Sequence, residues 1–447
     1  MTFQTTPMTL VVAGLLFHQV NRHWEYGFSG IGHHFAPVFG IRLPRPAVIF
    51  GQVAALPLAL LTSVTVTSLA GRATAVALAF YWMLSTHRRL SDHSWLGAVV
   101  AAVMAFTPVG LHPFVARDFL AGVYLTAAAL KVNDEYLFTE RSAGRLVTAH
   151  YFRLLKVPIH PGLLRTVPAA VIVAEFTAGV LLIVPGGERW SLWLAILMHL
   201  AFGVSGNFPF SVVAMTLWVT AFSPAGRIEL SGNPSAVWLA ALLTGLPALA
   251  TGRTATGRRS RSWLVKDAYQ GAVYGALCAV AVLSRSHGPA PADGQVTLVH
   301  AMVALAFTVN FLLVVTGMKL EWAFAMFTSL RPFGRSWLER HRLRDWPRYY
   351  ALTLPARIPK SLLREIDPGF VYLATRAENV VHEGVVYHLE AAARKHGVSF
   401  APKAMTVDPL VRELVPAPAD PPAPAPRRRL LSYPAIAPRS LDRHYLV

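Results

Sequence analysis

Charge and cysteine are both scarce in this chain. Only 14% of its 447 residues are Asp, Glu, Lys or Arg, and 54% are hydrophobic, whereas about a quarter of a soluble domain is usually charged. The single cysteine, Cys278, excludes an internal disulfide and a multi-cysteine metal site. No glycine-rich phosphate loop or Gly-x-Ser-x-Gly elbow follows a strand pattern, which argues against soluble nucleotide or hydrolase chemistry. The composition therefore indicates a membrane protein.

The basic charge follows the gaps between apolar blocks. The formal net charge is +18, but Arg and Lys form no single basic face, so we expect the lipid bilayer and not nucleic acid as the partner. The loops Thr251–Ser262 and Leu330–Tyr350 are rich in Arg, and the positive-inside rule predicts that both face the cytoplasm. The N-terminus lacks the basic start of a cleavable signal peptide, so we expect the first apolar block to remain.

Apolar segments cover most of the first three quarters of the chain. A transmembrane helix needs about 20 mostly apolar residues. The candidate segments are 8–20, 46–70, 72–86, 95–110, 114–131, 166–185, 190–205, 208–223, 235–251, 266–284 and 295–318. They predict an all-α integral membrane protein, a bundle of about 8–11 spans or partial spans in a cell membrane, expected to be a bacterial cytoplasmic membrane. We expect this domain over 1–330, a polar and partly helical extension over 331–412, and a Pro-rich disordered tail over 413–447.

Polar residues inside the apolar segments are costly and indicate function. Lys131 ends a segment of small residues, where partial removal from water would favour the neutral amine that a general base needs. Glu175, His199 and Asn207 lie within or beside other segments, and His93 begins one. Each also has a structural interpretation. The amine of Lys131 could extend to the membrane surface, Glu175 could form an ion pair, and the histidines and Asn207 could hydrogen-bond neighbouring helices.

Four stretches resemble, in order, the vitamin K-dependent gamma-carboxylase family and its bacterial relatives with a horizontally transferred transmembrane (HTTM) domain. They are "YWMLSTHRRLSDHSWLGAVVAAVMAFTP" (Tyr81–Pro108), "AGVYLTAAALKVNDEYLFTE" (Ala121–Glu140), "HLAFGVSGNFPFSVVAMTLWVTAFSP" (His199–Pro224) and "EWAFAMFTSL" (Glu321–Leu330). Three positions depart from the family pattern, since its Asn, Asp and Trp are replaced here by Asp92, Asn133 and Tyr136.

The resemblance implies a membrane enzyme in which a lysine deprotonates reduced vitamin K, a menaquinol-like molecule. Its reaction with O2 gives a strong base that removes a proton from the gamma carbon of a peptide glutamate, to which CO2 adds. Lys131 would be the initiating base and His93 would assist proton transfer. The residues expected to support the site are His199, Asn207, Glu175, Asp92, Asn133, Tyr136 and Trp322. No metal is expected.

Other functions stay open at this point. The chain could be an HTTM membrane component of peptide or toxin maturation without carboxylation, or a transporter or scaffold whose polar residues line a path. Whether the chain is an enzyme is therefore undecided. If it is one, the expected type is a carbon-carbon lyase with a monooxygenase-type half-reaction. The sequence identifies neither the peptide or protein substrate nor the oligomeric state.

Overall fold

The computed structural model describes residues 2–3, 6–26, 31–32, 43–66, 68–86, 92–139, 142–154, 157–203, 208–223, 228–229, 234–256, 261–284, 293–315, 349–353, 358–365, 379–407, 414–417 and 436–438. This part of the chain is mostly helical. The helices are α1 (Pro7–Tyr26), α2 (Arg45–Val53), α3 (Ala55–Thr65), α4 (Leu69–Ser85), α5 (Asp92–Phe106), α6 (His112–Lys131), α7 (Asp134–Phe138), α8 (Ala143–Leu154), α9 (Pro161–Ile183), α10 (Glu188–Phe202), α11 (Phe208–Phe222), α12 (Ser235–Thr256), α13 (Arg261–Leu283), α14 (Asp293–Val315), α15 (Lys360–Glu365) and α16 (Glu383–Arg394).

Every apolar segment marked in the sequence overlaps at least one helix of the described chain, and segment 46–70 is divided between α2 and α3. Three of the described helices are long and apolar enough to cross a membrane, namely Val109–Lys131, Pro161–Ile183 and Gly294–Val315. A fourth crossing results if α2 and α3, which meet at a 49° bend, form one broken span. The structure therefore shows a mostly helical chain whose described part has three or four candidate spans.

Antiparallel neighbours bring polar side chains to one end of the helical bundle. Gly97 of α5 lies against Leu15 of α1, and His93 at the start of α5 contacts His18 near the end of α1. Helix α10 runs parallel to α6, with Glu188 beside Arg117 and His199 beside Tyr124. It runs antiparallel to α11, with Arg189 beside Phe222 and His199 beside Phe210. Helix α11 therefore runs antiparallel to α6. Since side chains seven residues along lie about 10 Å further on, the end of α6 and the start of α11 share one level. We call this the polar end.

The bend between α2 and α3 is stabilised by side chains from α1. The backbone carbonyl of Gln52, two residues before the bend, accepts hydrogen bonds from Gln19 Nε2 and from His23 Nε2, the latter at 3.0 Å. The Gln52 side chain donates to the Ser85 carbonyl at 2.8 Å and accepts from the Gly32 backbone at 2.8 Å. A helix break inside an apolar environment is tolerated when its polar groups are paired in this way.

Arginines pair with helix C-terminal carbonyls at the opposite end of the bundle. Arg72 donates to the carbonyl of Thr107 at 3.0 Å, just past the end of α5. Arg189 donates to the carbonyls of Val282 at 2.9 Å and Ser284 at 2.6 Å, where α13 ends. These carbonyls have no partner within their own helix, and a cation there is favoured by the helix dipole.

The C-terminal region contains a sheet, so the prediction of an all-α chain is wrong there. Strands β1 (Thr2–Phe3) and β2 (Ile228–Glu229) pair with each other, and the five others form an antiparallel sheet of order β6-β5-β3-β4-β7. These five are β3 (Tyr349–Thr353), β4 (Asn379–His382), β5 (Ala401–Val407), β6 (Leu414–Pro416) and β7 (Ile436–Pro438). These strands have only three to seven residues, which is too few to show a clear period-two pattern in the sequence.

Helix α16 covers this sheet and its hydrophobic core. Val385, Leu389 and Ala393 recur at four-residue spacing and pack against Val381 and Leu352 of the strands. Helix α16 lies within the stretch 331–412, for which the sequence predicts a partly helical extension. The tail expected to be disordered contributes the two outer strands, which end at prolines; sheet edges accept proline because its missing N–H faces away from the ladder.

Candidate functional site at the polar end

Lys131 and Glu175 form a buried ion pair between α6 and α9. The Lys131 amine lies 2.8 Å from each carboxylate oxygen of Glu175. The two side chains are only 2% and 5% exposed. Gly179, one turn further along α9, lets the helices approach, since a Cβ there would lie 2.7 Å from the Leu125 side chain. The ion pair that the sequence suggested for Glu175 is therefore made with Lys131 of the neighbouring helix α6.

The turn "KVND" places the amine of Lys131. Helix α6 ends at Lys131, and Asn133 then caps α7 by accepting from the Tyr136 backbone N–H at 2.9 Å. Its amide nitrogen donates back to the Leu130 carbonyl at 2.8 Å. A carboxylate has acceptors only, so the aspartate found in the family pattern could not make the second bond. Asn133 therefore supports the site through the backbone of both helices.

The Tyr136 ring lies beside the Lys131 amine, with its centroid 6.0 Å from Nζ. This distance is at the outer limit of a cation–π contact. Tyr136 follows the apolar segment, and burial raises the pKa of its phenol, with a further contribution from the Glu175 carboxylate. The phenol therefore stays neutral and brings no second negative charge to the ion pair.

His199 belongs to a chain of hydrogen bonds that links three helices. Its Nε2 lies 2.8 Å from the Tyr124 hydroxyl. The oxygen of that hydroxyl accepts a hydrogen bond from Trp218 Nε1 at 3.0 Å. Tyr124 and Lys131 are seven residues apart on α6, so they lie on the same side of that helix, two turns apart. The His199 side chain is completely buried.

His93 is hydrogen-bonded to a second histidine, His18. His93 Nε2 lies 2.9 Å from His18 Nδ1, and both rings are buried. The Phe210 ring lies against the imidazoles of His93 and His199, with centroid distances of 5.9 Å and 5.0 Å, respectively. One aromatic side chain therefore connects the two histidines that the sequence singled out.

Several residues of the polar end were not identified from the sequence. They are His18, Tyr124, Phe210 and Trp218. Polar residues in the first apolar segment offered a signal, since His18 and Asn21 are one helical turn apart and both buried. Asn21 accepts from Gln270 Nε2 at 2.6 Å, which ties α1 to α13 beside the histidine pair.

Three of the expected site residues have no described side chain. Asn207 and Trp322 lie outside the described residues, and Asp92 begins α5 but nothing can be stated about its side chain. Within the described ranges, no group of three or more His, Cys, Asp or Glu side chains could hold a metal ion. The residues that the structure brings together at the polar end are thus a lysine, a carboxylate, histidines and tyrosines.

This set of groups can move protons in surroundings largely shielded from water. The amine and the carboxylate of the ion pair lie 2.8 Å apart, a distance across which a proton can be transferred. Comparison of the chain with protein-family models, curated proteins and solved structures finds no match.

Proposed function

We propose that the chain is a multi-pass membrane enzyme of the gamma-carboxylase-like, HTTM kind, in which Lys131 is the initiating base. The apolar outer face of the helices supports a bilayer location. Val173 on α9, Trp238 on α12 and Leu305 on α14 are all more than 60% exposed. Extended apolar surfaces of this sort mark contact with lipid or with another protein, and the candidate spans have the length that a bilayer requires.

The Lys131–Glu175 pair is the observation that carries the enzyme proposal. A lysine amine acts as a base only when it is neutral. In surroundings from which water is excluded, two separated charges are costly, so transfer of the proton from Lys131 to Glu175 gives a neutral pair at little expense. The amine can then take a proton from a bound substrate, while Glu175 keeps the one it accepted.

The aromatic residues of the polar end support a reduced quinone as the molecule that Lys131 deprotonates. An apolar ring would be accommodated by the aromatic side chains Phe202 and Phe210, and the buried His199 offers a polar group to one of its oxygens. With O2 it would supply the strong base that removes a proton from a peptide glutamate before CO2 adds. The apolar lining would keep water away from that chemistry.

His93 would hold or deliver a proton at the polar end, with His18 as its partner. A histidine pair joined by one hydrogen bond contains one nitrogen that donates and one that accepts. The pair can therefore accept a proton at one ring while the other ring keeps the orientation of the first. Phe210 lies against both His93 and His199, so the histidine pair and His199 are joined through one aromatic ring.

The decisive variant is Lys131→Arg. An arginine keeps the ion pair with Glu175 but cannot lose its proton at physiological pH. We expect a folded protein that neither oxidises a reduced naphthoquinone nor adds the mass of CO2 to glutamate in peptides from expressing cells. Lys266→Arg is the matched control, because Lys266 is also a buried lysine of an apolar helix. Full activity of Lys131→Arg would show that the pair is only structural.

A transporter is a second candidate, which the broken helix favours. Helices α2 and α3 meet at 49° within an apolar segment, and broken helices often line substrate sites in transporters. Coupled uptake of a solute into vesicles, with no peptide modification, would favour this function. Peptide maturation without added CO2 would instead favour an HTTM component that does not carboxylate.

A further inference from the structure

The hydrogen bonds of Tyr124 determine which nitrogen of His199 carries the proton. The indole of Trp218 can only donate, so the Tyr124 oxygen accepts this bond. The Tyr124 hydroxyl must then donate its own proton, and within the described chain His199 Nε2 is the acceptor in reach, at 2.8 Å. His199 Nε2 is therefore an acceptor, and the neutral ring carries its proton on Nδ1.

The Nδ1–H of His199 is a buried donor that lacks a protein acceptor among the described residues. The ring is fully buried, so bulk solvent does not reach this donor. Buried donors of this kind are rare, because each unpaired one destabilises the fold. Such a group in a folded protein is available to donate a hydrogen bond to a bound molecule.

The surroundings of His199 indicate the chemistry of that molecule. Phe202 and Phe210 lie against its ring, with centroids 5.8 Å and 5.0 Å away. A charged oxygen would be costly among these aromatic groups, and the described cation of the site, Lys131, is already paired with Glu175. The acceptor is therefore best supplied by a neutral carbonyl or hydroxyl oxygen on an apolar ring.

We propose that His199 binds the ligand of the polar end by donating a hydrogen bond from Nδ1 to a neutral oxygen of an aromatic or quinonoid ring. The proposal rests on the proposed function for the identity of the site. It adds the residue that recognises the ligand, the atom that it uses and the role of Tyr124, which holds the imidazole in the donating tautomer.

His112 provides a matched control on the same helix as Tyr124. It is also buried, and its Nε2 lies 2.7 Å from the Met104 carbonyl. A carbonyl only accepts, so His112 carries its proton on Nε2 and presents a lone pair at Nδ1. The N–H of the His112 ring is therefore paired, whereas the N–H of the His199 ring has no protein acceptor among the described residues. His112 lies at the opposite end of α6 from Lys131.

The test measures binding of 2-methyl-1,4-naphthoquinone, oxidised and reduced, to the full chain in lipid nanodiscs, with empty nanodiscs subtracted. An asparagine amide reaches the position of Nδ1, whereas a glutamine amide reaches that of Nε2. We therefore expect His199→Asn to keep most of the affinity. His199→Gln and His199→Phe should weaken binding by about 5- to 150-fold, the effect of leaving a buried acceptor unpaired. His112→Asn and His112→Phe should leave affinity unchanged.

The proposal would be overturned if His199→Phe bound the quinone with wild-type affinity, or if His199→Gln kept the affinity while His199→Asn lost it. Failure of the wild type to bind either the oxidised or the reduced quinone would also overturn it. If the variants do not fold, ¹⁵N NMR of histidine in the wild type decides. A protonated Nδ1 on His199 that shifts on addition of the quinone supports the proposal, and an unprotonated or unshifted Nδ1 refutes it. Intact binding without peptide modification would refute the proposed reaction alone.

Discussion

The ion pair at the polar end makes a quantitative prediction about stability. Its two hydrogen bonds are both 2.8 Å long and join groups that are almost completely buried. Replacing one partner, by Glu175→Gln or Lys131→Met, leaves the other charge in the apolar interior. Each single variant should therefore lose about 3–5 kcal/mol of unfolding free energy, the usual effect of breaking a buried pair.

The double variant Lys131→Met/Glu175→Gln distinguishes this cause from general disruption. Because no unpaired charge remains, we expect it to be more stable than either single variant, with a coupling free energy of about 3 kcal/mol or more. Denaturant titrations in mixed micelles, followed by fluorescence of the 11 tryptophans, would measure it. A double variant that loses the sum of the two single effects would refute the ion-pair assignment.

Three further variants test individual contacts. Asn133→Asp should lose about 1–3 kcal/mol, because it removes the donor to Leu130 and sets a carboxylate against that carbonyl, and a stability equal to that of wild type in denaturant titration would contradict this. His18→Phe should fold but shift the pH profile of quinol oxidation through loss of the hydrogen bond to His93; an unchanged profile would argue against the pair. Arg189→Met should speed hydrogen exchange at the end of α13, whereas equal exchange would show that the cap does not matter.

The helices of the apolar part of the chain could be predicted from its runs of apolar residues. Apolar runs of 13 or more residues leave a helix as the structure that pairs every backbone group internally, and each such run is helical. The break between α2 and α3 was hidden, because a continuous apolar run covers it. The bend depends on side chains from α1, such as Gln19, that are distant in sequence.

The C-terminal sheet could not be predicted with the same rules. Its outer strands come from a proline-rich stretch, and each has only three residues. Such strands are stable only when a neighbour supplies their hydrogen bonds. The antiparallel pairing of β5 with β6 and of β4 with β7 provides those bonds.

Part of the candidate site followed from the cost of burying charge. Lys131, Glu175, His93 and His199 stood out because ionisable groups are rare in apolar segments. Tyr124 did not stand out, since a tyrosine in an apolar helix is ordinary. Its importance comes from its two hydrogen-bond partners, which lie 75 and 94 residues away in the chain.

The amino-acid sequence by itself determined a helical, largely apolar chain and the identity of the few charged residues in its apolar helices, because backbone pairing and burial of charge are local costs. The tertiary structure alone decided how those charges are used. Lys131 is paired with Glu175, His93 with His18, and His199 is held by Tyr124 with its Nδ1–H free of protein partners in the described chain. Each of these relations joins different helices, and only packing sets the distances between their atoms.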